Sequence, residues 1–307
     1  MKRRNIMFVL IALIIVVILI VLLVRSPYFL NITFGISDYF RDRGLTTPSD
    51  VIRVDNRRYG DDPMQVFDVY YPKGTDHPLP TIVSIHGGGY TYGSKEVYQY
   101  YCMNLAQHGF TVVNYSYRLA PKHKFPAQLE DTNAVLTAIC ASAEEYRIDT
   151  ENIFFVGDSA GGHLNAQYSA AVTNPAYAKL LSLEIPAFTL RATALNCGVY
   201  EMKDVTDSSM KYYLDGDPEK YTEQLDIMGH ITSAFPPAFV MSSTGDMCLP
   251  FAVPMSDCLT KAGVENEVHI YGDDSTKPPH VFQINIRSEI AEQCNNDECD
   301  FFRERIG

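Results

Sequence analysis

The residues "FFVGDSAGGHL" at positions 154–164 constrain the fold more than any other stretch of this chain. An apolar run breaks into Gly157, Asp158, Ser159, Ala160 and Gly161, and helix-forming residues follow. This is G-x-S-x-G between a strand and a helix, the setting of a nucleophile elbow. The demand is steric. The serine occupies a sharp, strained turn that lifts its hydroxyl above the sheet, and side chains at Gly157 or Gly161 would collide with adjacent strand and helix backbone. The start of the helix adds a partial positive charge near the reacting centre. Glycine–serine motifs also occur in plain turns, so this one draws its weight from following "NIFFV".

Such an elbow needs a parallel sheet around it, and the chain has the matching rhythm. "MQVFDVYYP" reads as an edge strand, and "TIVSIH" and "FTVVNYSY" as short β-branched strands flanking a helix, "KEVYQYYCMNLAQHG". "PAQLEDTNAVLTAICASAEEY" is a longer helix, "NIFFVG" a strand and "AGGHLNAQYSAAV" a helix beginning at the serine. "PAFVMSSTG" (strand), "FAVPMSDCLTKAG" (helix), "ENEVHIYG" (strand) and a helix near residues 286–305 complete the series. This alternation predicts an α/β fold: a mostly parallel sheet with helices on both faces, over residues 61–307. Residues 200–233 are polar and interrupt the rhythm, which suits a small cap insertion over the sheet. Residues 26–60, with the helix-breaking "RDRGLTTPSD", read as a stem and lead-in.

Ahead of that stem, residues 6–24 are uncharged and apolar. About 20 such residues span the hydrocarbon core of a bilayer, so residues 1–25 are expected to form an uncleaved N-terminal membrane anchor, a transmembrane helix. A cleaved signal peptide would have a shorter apolar region and a small-x-small site, which "LLVRSPYF" lacks. Lys2, Arg3 and Arg4 precede the span and only Arg25 follows it at once. The positive-inside rule therefore predicts a single-pass protein with a cytoplasmic N-terminus and an extracytoplasmic catalytic domain.

The formal net charge is −12, and no basic run occurs beyond the extreme N-terminus, which argues against nucleic acid as a partner. The seven cysteines are scattered without a CxxC pair, which argues against a zinc site. Most are expected as buried thiols, and a Cys294–Cys299 disulfide stays open if the domain meets an oxidising compartment. "NIT" at Asn31 and "NYS" at Asn114 match the glycosylation pattern, the latter inside a predicted buried strand.

A second motif, "SIHGGGYTYGS" at residues 84–94, ends a strand in His86 and three glycines, Gly87, Gly88 and Gly89. Consecutive glycines let backbone N–H groups converge on one spot, where a tetrahedral oxyanion would form. The N–H of Ala160, next after the serine, completes such a hole. A phosphate cradle is the rival reading, but no lysine and Ser/Thr follow at the required spacing. A serine hydroxyl also needs a base, and the base an orienting carboxylate, supplied after later strands in the order Ser, Asp, His. Asp246 ends "PAFVMSSTGD" and His280 lies in "KPPHVFQ", both past the carboxyl ends of predicted strands. Asp273 and Asp274 are rival acids, although they share a loop with His280. His86 and His163 flank the elbow and are expected to brace backbone.

Taken together, "HGGGY", "YRLAPKHKFPAQLED" and "GDSAGG" resemble the hormone-sensitive-lipase-like (HGGG) esterases of the α/β-hydrolase superfamily, in the right order between residues 68 and 302. The resemblance implies an α/β-hydrolase fold, a Ser159–Asp246–His280 triad, and an oxyanion hole from Gly88, Gly89 and Ala160. It implies hydrolysis of small-molecule esters with short to medium acyl chains and no cofactor or metal. Amide hydrolysis (deacetylation or deformylation) uses the same triad and stays open. A ligand-binding role also exists on this fold, in plant hormone receptors, but those lack the catalytic histidine. Membrane-tethered adhesion is suggested by the anchor alone. Two departures from the family pattern stand out. The acid is followed by "DMCLP" where Asp-Pro-Leu is common, and the long loop "GDDSTKPPH" has no glycine after the histidine.

Overall fold

The computed structural model describes residues 8, 13–18, 21, 29–201 and 208–307. Short apolar runs bounded by glycine, proline and polar residues extend into eight strands: β1 (Val51–Arg58), β2 (Val66–Pro72), β3 (Leu79–Ile85), β4 (Thr111–Ser116), β5 (Ile148–Asp158), β6 (Leu190–Asn196), β7 (Ala238–Ser243) and β8 (Asn266–Tyr271). They form one sheet in the order β1-β2-β4-β3-β5-β6-β7-β8. β2 is antiparallel to both its neighbours, and every pairing from β4 to β8 is parallel. The longer helices are α1 (Phe29–Asp42), α2 (Lys95–Gln107), α3 (Ala127–Ala141), α4 (Ala160–Thr173), α5 (Pro175–Leu180), α6 (Leu249–Lys261) and α7 (Glu289–Arg303).

Strand residues alternate between two cores. Val83, Ile85 and Phe155 point to the side covered by Leu129 and Leu136 of α3, Leu164 of α4 and Leu259 of α6. Ile82, Phe154 and Val156 point to the side covered by Tyr101 and Leu105 of α2 and Phe302 of α7. Each large apolar side chain so enclosed contributes about 1.5–3 kcal/mol, so the sheet's two faces dominate the stability.

The sheet starts earlier than the sequence suggested. Residues 26–60 were expected to be a stem, yet they contain α1 and β1, and β1 pairs with β2 along its length. β2 is consequently one strand in from the edge. As the true edge strand β1 faces solvent, so it carries Arg53, Asp55, Arg57 and Arg58 instead of an apolar run. β6 also lacks the pattern of an interior strand. Its "LRATALN" has few branched residues because Ala192 and Ala194 are small, fully buried positions in mid-sheet.

Between β6 and β7 the chain leaves the sheet in short helical turns, Ser208–Tyr213, Thr222–Leu225 and Ile227–His230, as a cap would. Tyr213 anchors it by stacking on Tyr90 at 3.7 Å between ring centres. Residues 202–207 of this insertion lie outside the described residues.

The expected membrane anchor, residues 6–24, also lies largely outside them; Phe8, residues 13–18 and Val21 are helical with exposed apolar side chains. Among the described residues no helix is long and apolar enough to cross a membrane. Cys294 and Cys299 are buried free thiols on α7, so the disulfide left open above is not formed. Asn114 is fully buried and donates to the Lys95 carbonyl at 2.7 Å, which excludes it as a glycan acceptor in the folded chain.

Candidate active site

The elbow is built as the motif demanded. Ser159 follows β5 and precedes α4 with φ 54° and ψ −121°, a conformation that costs a non-glycine residue about 1–3 kcal/mol. Its N–H donates to the Asn196 carbonyl at the end of β6, at 3.0 Å. A Cβ on Gly157 would lie 2.4 Å from the Gly161 carbonyl oxygen, and one on Gly161 would lie 2.1 Å from that of Ile85. Both glycines are thus fixed by backbone approaching backbone, and Gly161 presses α4 against the strand that feeds the glycine loop.

In that loop Gly88 and Gly89 have φ of +112° and +58°. A Cβ on Gly88 would meet the Tyr92 carbonyl at 2.3 Å. Among the described residues no acceptor takes the N–H of Gly88 or of Gly89. The Gly87 N–H, by contrast, donates to the Tyr98 hydroxyl at 2.9 Å, and that hydroxyl donates to Asp158 Oδ2 at 2.7 Å. Tyr98 therefore ties the glycine loop to the elbow. His86 braces from below. It is fully buried, stacks on Tyr117 at 3.9 Å, and donates from Nδ1 to the Gly87 carbonyl at 2.8 Å. Burial pushes its pKa down to about 4, and that of the equally enclosed His163 to about 3, so both rings are neutral.

Asp246 and His280 come from the turns after β7 and β8, which the Gly245–Pro279 bridge holds together. Nδ1 of His280 lies 2.6 Å from Asp246 Oδ1. The carboxylate also accepts from the Ser242 hydroxyl at 2.6 Å and the Cys248 N–H at 2.8 Å. Burial alone would raise the Asp246 pKa, but the hydrogen bond and charge of His280, with these other donors, hold it below the usual range. The side chain of Asp246 is fully buried while His280 keeps 21% of its exposure, so the imidazole reaches solvent. The rival acids do not reach the ring. Asp273 Oδ1 accepts from the N–H of Ser275 and of Thr276, within its own loop, and Asp274 is exposed. Of the two sequence departures, "DMCLP" places Pro250 in the first turn of α6 and leaves Asp246 in contact with His280. The missing glycine has a visible consequence: Val281, just after the histidine, is forced to φ 59°, an outlier for a β-branched residue.

Several polar residues support the site without any motif. Asn196, whose carbonyl holds Ser159, donates from Nδ2 to Glu298 Oε2 at 2.6 Å, and Tyr101 donates to Glu298 Oε1 at 2.7 Å. Glu298 thus joins α7, α2 and the end of β6 beneath the elbow. Its sequence signal was a lone charge on the stripe Ala291, Cys294, Asn295, Cys299 and Phe302. Cys197, at φ 48°, places its sulfur within 4.8 Å of the ligand atoms of Asp246 and His280. Burial first, then the Asp246 charge, push this thiol well above its ordinary pKa.

Burial raises the pKa of both Glu298 and Asp158 to about 7 despite the hydrogen bonds each accepts. A carboxyl raised in the folded state contributes stability that is fully present below its unfolded pKa and lost as pH rises through the folded value. Folding should therefore weaken between about pH 4.5 and 7 through these two groups. Glu298→Gln is expected to flatten that slope, leaving the Asp158 share, as measured by urea midpoints at pH 5 and pH 8. Equal slopes for the two proteins would refute the assignment.

A strained serine above a parallel sheet, paired His and Asp at the next strand ends, and a loop of glycine N–H groups define a serine hydrolase of the hormone-sensitive-lipase-like esterase class, on the α/β-hydrolase fold. Residues 67–254 match the BD-FAE family model, more than half of the chain, and the protein belongs to that family. It is similar to carboxylesterase NlhH of Mycobacterium tuberculosis, at 29% identity over 74% of this chain and 77% of that one. It is also similar to esterase LipC of the same organism, at 27% identity over 62% of this chain, and it spans 51% of that protein's length. Esterase B of Lactobacillus rhamnosis shares the fold with a TM-score of 0.84 at 23% identity, covering 92% of this chain and 94% of that one.

Proposed function

We propose that the protein hydrolyses small-molecule carboxylic esters through an acyl-enzyme on Ser159. The observation that carries this reading is the His280–Asp246 pair, 2.6 Å apart, past the ends of β7 and β8 in the same sheet whose β5 leads into Ser159, held in the elbow conformation. Asp246, ionised and fed by three donors, fixes the imidazole with its Nδ1 proton inward and leaves Nε2 for the serine. As Ser159 Oγ attacks the carbonyl carbon, Nε2 takes the hydroxyl proton. The N–H groups of Gly88, Gly89 and Ala160 hold the resulting oxyanion, a contribution of about 10²–10³ in turnover per donor. The imidazolium then protonates the leaving alcohol. Water repeats the sequence on the acyl-enzyme, releasing the acid and restoring Ser159. No step requires a metal or an organic cofactor.

The substrate class we favour is short to medium acyl esters. We further propose that residues 1–25 anchor the chain, with the N-terminus cytoplasmic and the catalytic domain on the other side. The test is a rate profile on nitrophenyl esters of graded acyl length, with matched anilides, alongside fluorophosphonate labelling. We expect esters of short or medium chains to turn over fastest, anilides far more slowly, and the probe to label wild-type protein but not Ser159→Ala. Faster anilide turnover would move the reading to amide hydrolysis. An unlabelled wild-type serine would leave a binding protein.

A further inference from the structure

Helix α1 is amphipathic the wrong way round for a globular domain. Its domain-facing positions are Asn31, Gly35, Asp38, Arg41 and Asp42, all partly buried. Arg41 donates from Nη2 to the Val97 carbonyl at 2.7 Å and pairs with Asp38 at 2.7 Å, while Asp38 also accepts from the Tyr92 hydroxyl. Arg287 fastens the end of the helix by donating to the carbonyls of Arg41 and Arg43, both at 2.6 Å. The polar side thus docks on the body. On the opposite side stand Ile32, Ile36, Tyr39 and Phe40, exposed by 48%, 56%, 62% and 63%. At 3.6 residues per turn these four fall within a sector of about 100°, an apolar stripe facing away from the protein.

A soluble helix reverses this arrangement, so the stripe implies a partner. The chain itself indicates which. Only residues 25–28 separate α1 from the uncharged apolar run of residues 6–24, so a bilayer that holds that run lies one short link from the stripe. With a net charge of −12 the protein has no electrostatic attraction to anionic headgroups, which favours a neutral lipid surface and apolar contact. We propose that α1 is an interfacial helix whose Ile32/Ile36/Tyr39/Phe40 face rests in the headgroup region of the membrane. Helices of this kind sink their apolar face about 5–10 Å into the boundary. The inference rests on the anchoring reading above and extends it to the catalytic machinery. Phe34 meets the ring of Tyr92 at 5.7 Å, and Tyr92 belongs to the glycine loop, whose Gly88 carbonyl accepts its N–H at 3.0 Å. The oxyanion loop is thereby held at the lipid surface, where esters partitioned into the membrane are concentrated.

The chain contains no tryptophan, so a single one reports its own surroundings without background. Full-length Phe40→Trp and, as a control on an exposed site of α6, Val253→Trp would each be reconstituted with phosphatidylcholine vesicles carrying brominated or plain acyl chains. We expect both proteins to float with the vesicles, Phe40→Trp to lose most of its emission to bromine, and Val253→Trp to keep its emission. Flotation with an unquenched Phe40→Trp would overturn the inference and leave anchoring intact. A blue-shifted but unquenched emission in that sample would assign the stripe to a second copy or another protein surface. Failure of either protein to float would overturn the anchoring reading, and this inference with it.

Discussion

Ser159→Ala and His280→Ala are each expected to lower kcat towards aryl esters by about 10⁴- to 10⁶-fold, with the double variant no worse than the singles. The non-additivity follows from the proton path. Without the hydroxyl there is nothing for the imidazole to deprotonate, and without the imidazole the hydroxyl stays protonated and weakly nucleophilic. The residual rate comes from the glycine loop and substrate binding, which neither substitution touches. Asp246→Asn should cost about 10⁴-fold, because the amide group offered to the imidazole selects the wrong tautomer. That variant also disturbs a carboxylate that accepts from Ser242 and from the Cys248 N–H, so its thermal midpoint must be measured alongside. Ser159→Ala has no such complication: its backbone remains at the elbow, and the protein should fold as wild type. A Ser159→Ala protein with substantial esterase activity, or singles that multiply in the double variant, would refute the triad.

The elbow and the glycine loop are legible in the sequence because each answers a local backbone demand, and the Asp246–His280 pair because both residues follow readable strands. Gly157, Gly161 and Gly88 sit where a Cβ has no room, and such positions leave a mark in the sequence that is read without coordinates. The alternation of strands and helices was legible in its apolar runs, save for helices α1 and α5 and strands β1 and β6. β1 is charged because it lies at the sheet edge, and β6 carries Ala192 and Ala194 where it faces the core covered by α2 and α7; both depart from the branched, apolar pattern of an interior strand. The supporting polar network was not legible. Tyr98, Asn196, Glu298 and Cys197 belong to no motif, and their adjacency arises only when the sheet sets its register, as when Asp158 pairs beside Asn196. A lone carboxyl on the buried face of the closing helix was the one available hint. The polar face of α1 was likewise hidden, since its docking partners Tyr92, Val97 and Arg287 are distant in the chain.

Gly161→Ala is expected to destabilise the fold by about 3 kcal/mol or more, the upper end for overpacking a filled site. The added methyl would lie 2.1 Å from the Ile85 carbonyl oxygen and 2.5 Å from that of His86. Neither obstacle is a flexible side chain that can swing aside. Ile85 is paired in register with both β4 and β5, and the His86 carbonyl accepts from the fully buried Tyr117 hydroxyl at 2.9 Å. Relief therefore requires either β3 or α4 to shift as a body. Whichever moves, the separation between the Ser159 elbow and the Gly88–Gly89 loop changes, so activity should fall even in protein that remains folded. Gly109→Ala is the contrasting control. Its φ of +96° imposes strain on any side chain, but no atom lies within 4 Å of the new methyl, so it should lose about 1–2 kcal/mol with little change in kcat/KM. Urea unfolding of both variants, with kcat/KM at a temperature where each is folded, separates the two effects. Equal activity in the two folded proteins would show that contact between β3 and α4 does not set the catalytic geometry.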